Sequence, residues 1–321
     1  MSDPRRQDVL AWLQGLGRPA LDLTPLAGDV SRRVYLRARH ENGDTSIVVT
    51  YPPEIVEECR RFAHTTLLLE PAGVPVPRVE ARDCANGLML LTDAGGDTLY
   101  DRRREGWETL SGWIGKAARI ADAFRRVPAG EVAALNPPLD AELLRRELDQ
   151  TWRLLLEPRG LAGDRAGSER LRTALDEICA RLGGERRVVC HRDFMARNLV
   201  PRDDGGLVVL DHQDLRLGPG AYDLASLLND SLFAPADLES RLVKSHLPDT
   251  PLESYRRCVV QRALKACGTY AAFARRGSSR HLRLVPPTLR RAADNLAQLP
   301  EGRGLSTVIE RWRSAPALGS E

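Results

Sequence analysis

Two aspartates and an asparagine near the middle of this chain have the types and spacing that phosphoryl transfer requires. Cys190-His191-Arg192-Asp193 leads through four further residues to Asn198, and a Pro-Arg-Asp-Asp-Gly-Gly turn and the apolar run Leu207 to Leu210 then reach Asp211, His212, Gln213 and Asp214. A hydroxyl that attacks the terminal phosphate of ATP needs a carboxylate to orient it and to take its proton late, and Asp193 is expected to be that base. Metal ions bridging the phosphates take hard oxygen ligands, which an amide and a carboxylate arriving from two segments supply, here Asn198 and Asp211. Asp214 has two readings, a further metal ligand or a cap of the next element. His191 is expected to hold the loop backbone rather than to act as a base.

The elements that must position these groups follow from periodicity and turn chemistry. Residues 199–201 and 207–210 read as two short strands around the Asp-Gly-Gly turn, a hairpin that leaves Asn198 and Asp211 at its two ends. A chance His-Arg-Asp ahead of an unrelated strand is the competing reading, and the loop, hairpin and second aspartate occurring together argue against it.

Ahead of this centre, Arg5 to Leu16 is expected to be an amphipathic helix, and Leu21 to Ala27, Arg32 to His40 and Thr45 to Tyr51 alternate as strands. Glu54 to Leu69 has helical apolar spacing. Arg78 to Asp83 and Gly87 to Thr92 return to strand character. Beyond Trp107 helices dominate, with candidates at 109–126, 141–156, 168–182, 251–275 and 288–299. The chain therefore divides near Asp93 into a small β-rich part and a larger helical part. Between the first two strands, Gly28 and Ser31 sit in a turn whose backbone amides can approach phosphate oxygens, with an ordinary turn as the alternative. Leu88 to Leu91 and Thr92 to Gly96 would then connect the two parts, with backbone groups available to an adenine ring.

Composition narrows the class. At 321 residues the chain can bury a core larger than one ordinary domain. No apolar run approaches the roughly 18 residues of a membrane helix, and the charged segment Met1 to Asp8 does not read as a secretory signal, so a cytoplasmic location and no membrane partner are expected. The formal net charge of +3 and 5% aromatic content give no base-stacking platform, so no nucleic-acid partner is expected. Six scattered cysteines without a CxxC pair are expected to be reduced core residues. Nothing in the sequence sets an oligomeric state.

Several motifs together carry a resemblance. They are Gly28-Asp29-x-Ser31-x-Arg33-x-Tyr35, Val48-Val49 leading to Pro52-Pro53-Glu54, Leu90-Leu91-Thr92-Asp93, His191-Arg192-Asp193 through Asn198, Leu210 to Asp214, and Gly218-Pro219 through Tyr222-Asp223 to Leu228. Over roughly residues 20 to 275 the chain is similar to the aminoglycoside phosphotransferase superfamily. Within it, these motifs and Gln261 to Tyr270 most resemble the anomeric sugar kinases that phosphorylate N-acetylmuramate and N-acetylglucosamine at the C1 hydroxyl in bacterial cell-wall recycling. The resemblance implies an α+β, protein-kinase-like two-lobed fold, with an N-lobe over 1–93 and a catalytic C-lobe over 94–321. It further implies ATP and Mg²⁺ as cofactors and a sugar hydroxyl as acceptor. Asp193 would be the base, Asn198, Asp211 and Asp214 the metal ligands, and Gly28, Asp29, Ser31, Arg32, Arg33, Leu91 and Asp93 the nucleotide-binding residues.

One departure stands out. The only lysines are Lys116, Lys244 and Lys265, so no strand lysine is present to clamp the phosphates, and Thr50 or a neighbour takes its place. Arg32 or Arg33 is the expected substitute, unless metals and backbone amides suffice. Glu57 and Glu58, which would have faced that lysine, are left on what reads as a solvated helix face. Gln261, Lys265 and Gly268 share one helical face, to pack on the catalytic elements or to meet the sugar, and packing is the expectation. An aminoglycoside or choline-like acceptor is the nearest alternative. A nucleotide-binding regulator without catalysis is the more distant one, and the intact acid-amide-acid set argues against it.

Overall fold

The computed structural model describes residues 3–26, 32–158 and 165–313. Its elements give the α+β arrangement expected, a part built on a five-stranded sheet followed by a mainly helical part. Two compact units result. The first is built on residues up to Gly96 together with Val200–Gln213, and the second on Asp97–Leu199 together with Asp214 onward. A single boundary at Asp93 thus omits a return of the chain to the first unit.

In the first unit, α1 (Asp3–Gly15) precedes an antiparallel sheet of β1 (Ala20–Pro25), β2 (Val34–His40), β3 (Thr45–Thr50), β5 (Leu88–Thr92) and β4 (Val79–Asp83), in the order β1-β2-β3-β5-β4. The period-2 pattern of the strands sorts their side chains onto two faces, and each face has its own helix. Leu36, Ala38, Val48, Leu88 and Leu90 pack with Val9 and Leu13 of α1. Ile47, Val49, Met89 and Leu91 pack with Cys59, Phe62 and Ala63 of α2 (Val56–Leu69). Covering on both faces explains why β3 and β5 read as nearly continuous apolar runs.

The expectation of six reduced cysteines is corrected here. Cys59 on α2 and Cys84 beyond β4 form a disulfide, with Cα atoms 5.7 Å apart. The packing of α2 on the face of β3 and β5 brings them together, and residue spacing alone does not show that. Cys179, Cys190, Cys258 and Cys267 are free and buried. The returning segment forms the short hairpin β7 (Leu199–Pro201) and β8 (Leu207–Val209), and Val209 N–H donates to Pro75 O at 2.8 Å.

The second unit is mainly helical: α3 (Trp107–Ala123), α4 (Ala129–Leu135), α5 (Ala141–Thr151), α6 (Arg165–Gly183), α7 (Tyr222–Asn229), α8 (Ala236–His246), α9 (Leu252–Arg275), α10 (Val285–Leu296) and α11 (Ser306–Arg313). The Asp140 carboxylate caps α5 by accepting from Leu143 N–H at 2.8 Å. The helix α9 is the central post. Its Gly268 meets α5 so closely that a Cβ there would lie 2.3 Å from Thr151 Oγ1, and Thr151 Oγ1 donates to Leu264 O at 2.7 Å. Two short strands, β6 (Arg187–Cys190) and β9 (Arg216–Pro219), pair antiparallel and carry the segment that follows Cys190. No helix among the described residues is long and apolar enough to cross a membrane.

Candidate active site

In the second unit, the loop after β6 is fixed from below by one buried carboxylate. Asp223, in the first turn of α7, accepts from His191 N–H at 2.6 Å and from Arg192 N–H at 3.0 Å. Burial raises the pKa of Asp223, and the His191 ring and these two backbone donors work against that rise. His191 itself is fully buried beside Phe124 and Phe194, at centroid distances of 5.8 and 5.7 Å, so its ring is part of the loop's support. Arg192 adopts a left-handed backbone, φ 76°, a conformation a non-glycine residue holds only when its surroundings impose it.

This support presents Asp193 to a pair of cations from α9. Its Oδ1 accepts from Lys265 Nζ at 2.6 Å and from Arg262 Nη1 at 3.0 Å. Burial alone would push the Asp193 carboxyl up, but Lys265, Arg262 and Arg192 together hold it well below the ordinary carboxylate range. Asp193 is therefore a permanent carboxylate near neutral pH. Lys265 moves the other way, its pKa lowered by burial although Asp193 opposes the change.

A second buried acid balances the cations. Glu147 of α5 accepts from Arg192 at 2.9 Å and from Gln261 at 3.0 Å. Its pKa is lowered, since Lys265 and Arg192 outweigh burial. Gln261 accepts from Tyr222 Oη at 3.0 Å, and Arg262 donates to Ser226 Oγ at 2.8 Å. The face of α9 singled out in the sequence is thus divided: Gln261 and Gly268 pack, whereas Lys265 reaches Asp193. Glu147 and Arg262 were not legible from spacing. The only sequence signal was Gln261 and Lys265 one turn apart, which marks the face but not what it meets.

Asn198 donates its Nδ2 to Asp193 O at 2.8 Å, which commits the amide nitrogen and fixes the orientation of the amide oxygen. Asp214 lies 3.6 Å from Arg192, so that side chain has a cationic partner in the second unit.

Asp211 belongs to the first unit. It too has a left-handed backbone, φ 61°, and its Oδ1 accepts from Arg33 at 2.8 Å and from Gln213 at 3.0 Å. His212 fixes this turn on α2: its ring lies 4.2 Å from that of Phe62, and its Nδ1 is 2.8 Å from Thr65 Oγ1. Arg33 also approaches Glu58 at 3.7 Å, so Glu58 has a role that a solvated helix face did not suggest, whereas Glu57 pairs with Arg60 at the surface. Arg33 keeps its charge despite burial, because Tyr35 and Asp211 favour the cation. Arg32 instead makes an exposed pair with Glu54 at 3.1 Å.

The remaining sequence candidates have different surroundings. Leu91 is buried in the core on the α2 face of the sheet. The Asp93 carboxylate accepts from Arg37 Nε at 2.6 Å and Nη2 at 3.1 Å and from Gly95 N–H at 3.0 Å, and these bonds overcome burial to lower its pKa. Gly28, Asp29 and Ser31 lie outside the described residues.

An ionised carboxylate on a braced loop followed by an oriented amide matches the requirements of hydroxyl phosphorylation, and comparison with known proteins agrees. Residues 22–258 match the model of the phosphotransferase enzyme family. The chain is 33% identical to an N-acetylmuramate/N-acetylglucosamine kinase of Pseudomonas aeruginosa, over 96% of each chain, and 29% identical to the protein of the same name from Pseudomonas putida, again over 96% of each. Among solved structures it is similar to the choline kinase LicA of Streptococcus pneumoniae, with a TM-score of 0.65 at 16% identity, covering 91% of this chain and 100% of that one. It is also similar to an ADP-bound aminoglycoside phosphotransferase, with a TM-score of 0.62 at 13% identity, covering 91% and 97%. These likenesses establish a protein-kinase-like fold of the aminoglycoside phosphotransferase and choline kinase type. With a family match over most of its length, the chain belongs to the phosphotransferase enzyme family and is an enzyme that transfers a phosphoryl group to a hydroxyl.

Proposed function

We propose that this enzyme transfers the γ-phosphate of ATP to the anomeric C1 hydroxyl of an amino sugar, N-acetylmuramate, N-acetylglucosamine or both, in cell-wall sugar recycling. The observation that carries the reading is the likeness to the Pseudomonas aeruginosa kinase over 96% of both chains. The state of Asp193 supports the chemistry. The acceptor oxygen forms a bond to phosphorus, the bond from the γ-phosphorus to the bridging oxygen breaks and ADP leaves, and the hydroxyl proton passes to Asp193. A carboxylate held at low pKa is a weak base, which suits a proton that moves late in a loose transition state. Lys265 and Arg262 hold Oδ1 of that carboxylate and so set the direction of its other oxygen.

Mg²⁺ suits the oxygen donors present. Asn198 has its amide nitrogen bonded to the Asp193 carbonyl, which reserves the amide oxygen for a cation, and Asp211 is a part-exposed carboxylate, 38% accessible. We propose Asn198 in the second unit and, separately, Asp211 in the first as Mg²⁺-ligand candidates, each judged by its own donor chemistry; Mg²⁺, when bound, would supply charge neutralisation to the phosphates. Asp214 is assigned to its pair with Arg192. On the nucleotide side, Arg33 takes the place of the absent lysine.

The test is phosphoryl transfer from ATP·Mg²⁺ to N-acetylmuramate, N-acetylglucosamine, other hexoses, kanamycin and choline, with ³¹P NMR locating the ester. A C1 phosphate on an amino sugar is expected, and Asp193→Asn is expected to abolish most turnover while keeping nucleotide affinity. Transfer to kanamycin or choline alone would refute the amino-sugar reading.

A further inference from the structure

Tyr100 collects three guanidinium groups beside the catalytic loop. Its backbone N–H donates to Ala196 O at 3.2 Å, within the stretch between Asp193 and Asn198, and its side chain is buried. The guanidinium of Arg197 lies 3.6 Å from the ring centroid and that of Arg103 lies 4.6 Å away, while Arg283 donates to the phenol oxygen at 3.1 Å. Arg283 comes from the turn between α9 and α10 and is exposed.

What sets this cluster apart is the lack of acid. Arg33, Arg192, Arg257, Arg262 and Arg291 by contrast each have a carboxylate within 4 Å. Arg103, Arg197 and Arg283 have no carboxylate partner among the described residues. The Tyr100 phenol registers the resulting field. Burial would raise its pKa, yet Arg197 and Arg283 bring it below the ordinary value. Cation–π contact offsets part of the repulsion among like charges, and an anion would offset far more. A planar guanidinium fork matches a carboxylate well.

We propose that Arg197 and Arg283, braced by Tyr100, bind the carboxylate of an anionic acceptor sugar and so set the preference between N-acetylmuramate, which carries a lactyl carboxylate, and neutral N-acetylglucosamine. This rests on the amino-sugar reading and adds to it a specificity-determining site in the helical unit.

The experiment is steady-state kinetics of the wild type, Arg283→Ala and Tyr100→Phe with N-acetylmuramate, its methyl ester and N-acetylglucosamine, at saturating and at varied ATP. For Arg283→Ala, kcat/KM for N-acetylmuramate should fall about 10- to 100-fold, mostly through KM, the loss expected for one hydrogen bond to a charged group. The ester and N-acetylglucosamine should change by less than about twofold, since they carry no charge to be read. Tyr100→Phe, which keeps the ring and removes only the oxygen, should show the same selectivity at smaller amplitude. Equal losses on all three acceptors, no loss on N-acetylmuramate, or a wild type that ignores N-acetylmuramate would each overturn the proposal. So would a raised KM for ATP with every acceptor, which would assign the cluster to nucleotide phosphate. A wild type inactive on every amino sugar would refute the proposed function itself, whereas an active wild type with unselective variants removes only the carboxylate site.

Discussion

Replacement of Lys265 by methionine should separate the charge of Asp193 from its position. In the folded enzyme the ammonium lies 2.6 Å from Asp193 Oδ1, with Arg262 on the same oxygen at 3.0 Å. Methionine keeps most of the side-chain volume and removes one of the two cations. A hydrogen bond to a charged group contributes about 1.5–3 kcal/mol, and one pKa unit corresponds to roughly 1.4 kcal/mol, so the Asp193 pKa should rise by about one to two units. Arg262 remains, which keeps the rise from being larger. The sign follows from the direction of the native shift. Asp193 is held well below its ordinary value, so the stability it contributes is complete above the unfolded carboxylate pKa and is lost as pH falls through the folded one. In Lys265→Met that loss should begin at higher pH, and the acid limb of kcat/KM should move upward by the same amount, about one to two units. The assays are the pH profile of kcat/KM and urea unfolding at a series of pH values. At pH 8 Asp193 is ionised in both proteins, so any difference remaining there measures orientation alone. An acid limb and an unfolding series that both superimpose on the wild type would show that Lys265 does not set the state of Asp193.

Other perturbations address the first unit. Asp211→Ala should abolish the Mg²⁺-dependent part of nucleotide affinity measured by calorimetry, and an unchanged metal dependence would remove Asp211 as a ligand. Arg33→Ala removes a buried guanidinium from the part-exposed Asp211 and should destabilise by about 1–3 kcal/mol or weaken ATP binding strongly, whereas Arg32→Ala breaks an exposed pair and should cost no more than about 1 kcal/mol. Denaturation and ATP titration of both variants decide this, and equal behaviour would refute the substitution of Arg33 for the missing lysine. Reduction of the Cys59–Cys84 disulfide, or Cys59→Ser, should lower stability by roughly 3.5 kcal/mol, the chain-entropy value for a loop of this separation, as followed by unfolding with and without reductant. Identical unfolding curves would show that the bond contributes nothing.

The parts legible in the sequence are those governed by local rules. Strand alternation located all five strands of the sheet, and the turn at Asp203 to Gly206 fixed β7 and β8 almost to the residue. The loop from Asp193 to Asn198 was legible because its chemistry lies in one short segment. The elements missed include wholly buried and very short ones. All eight residues of α7 are buried, so it has no amphipathic stripe to read, and β6 and β9 are four residues each and pair across 26 or more positions. The partners of Asp193 come from 69 and 72 residues away, and the cysteine pair spans 25, separations at which identity and spacing say nothing of contact.

The return of Val200–Gln213 to the first unit bears on how the protein can be made and divided. A ribosome that has released residues up to Gly96 has not yet produced the strand pair that this unit requires, and roughly a hundred residues of the other unit must emerge before it does. Neither unit can be obtained as a single stretch of the gene. A truncation at Gly96 would forfeit the bond from Val209 to Pro75 and the seating of His212 on α2, so a soluble amino-terminal half would require residues 200–213 to be grafted on through a designed linker. Genetic exchange within the family faces the same constraint, since a single crossover after Gly96 would give the sheet of one parent and the Asp211 segment of the other.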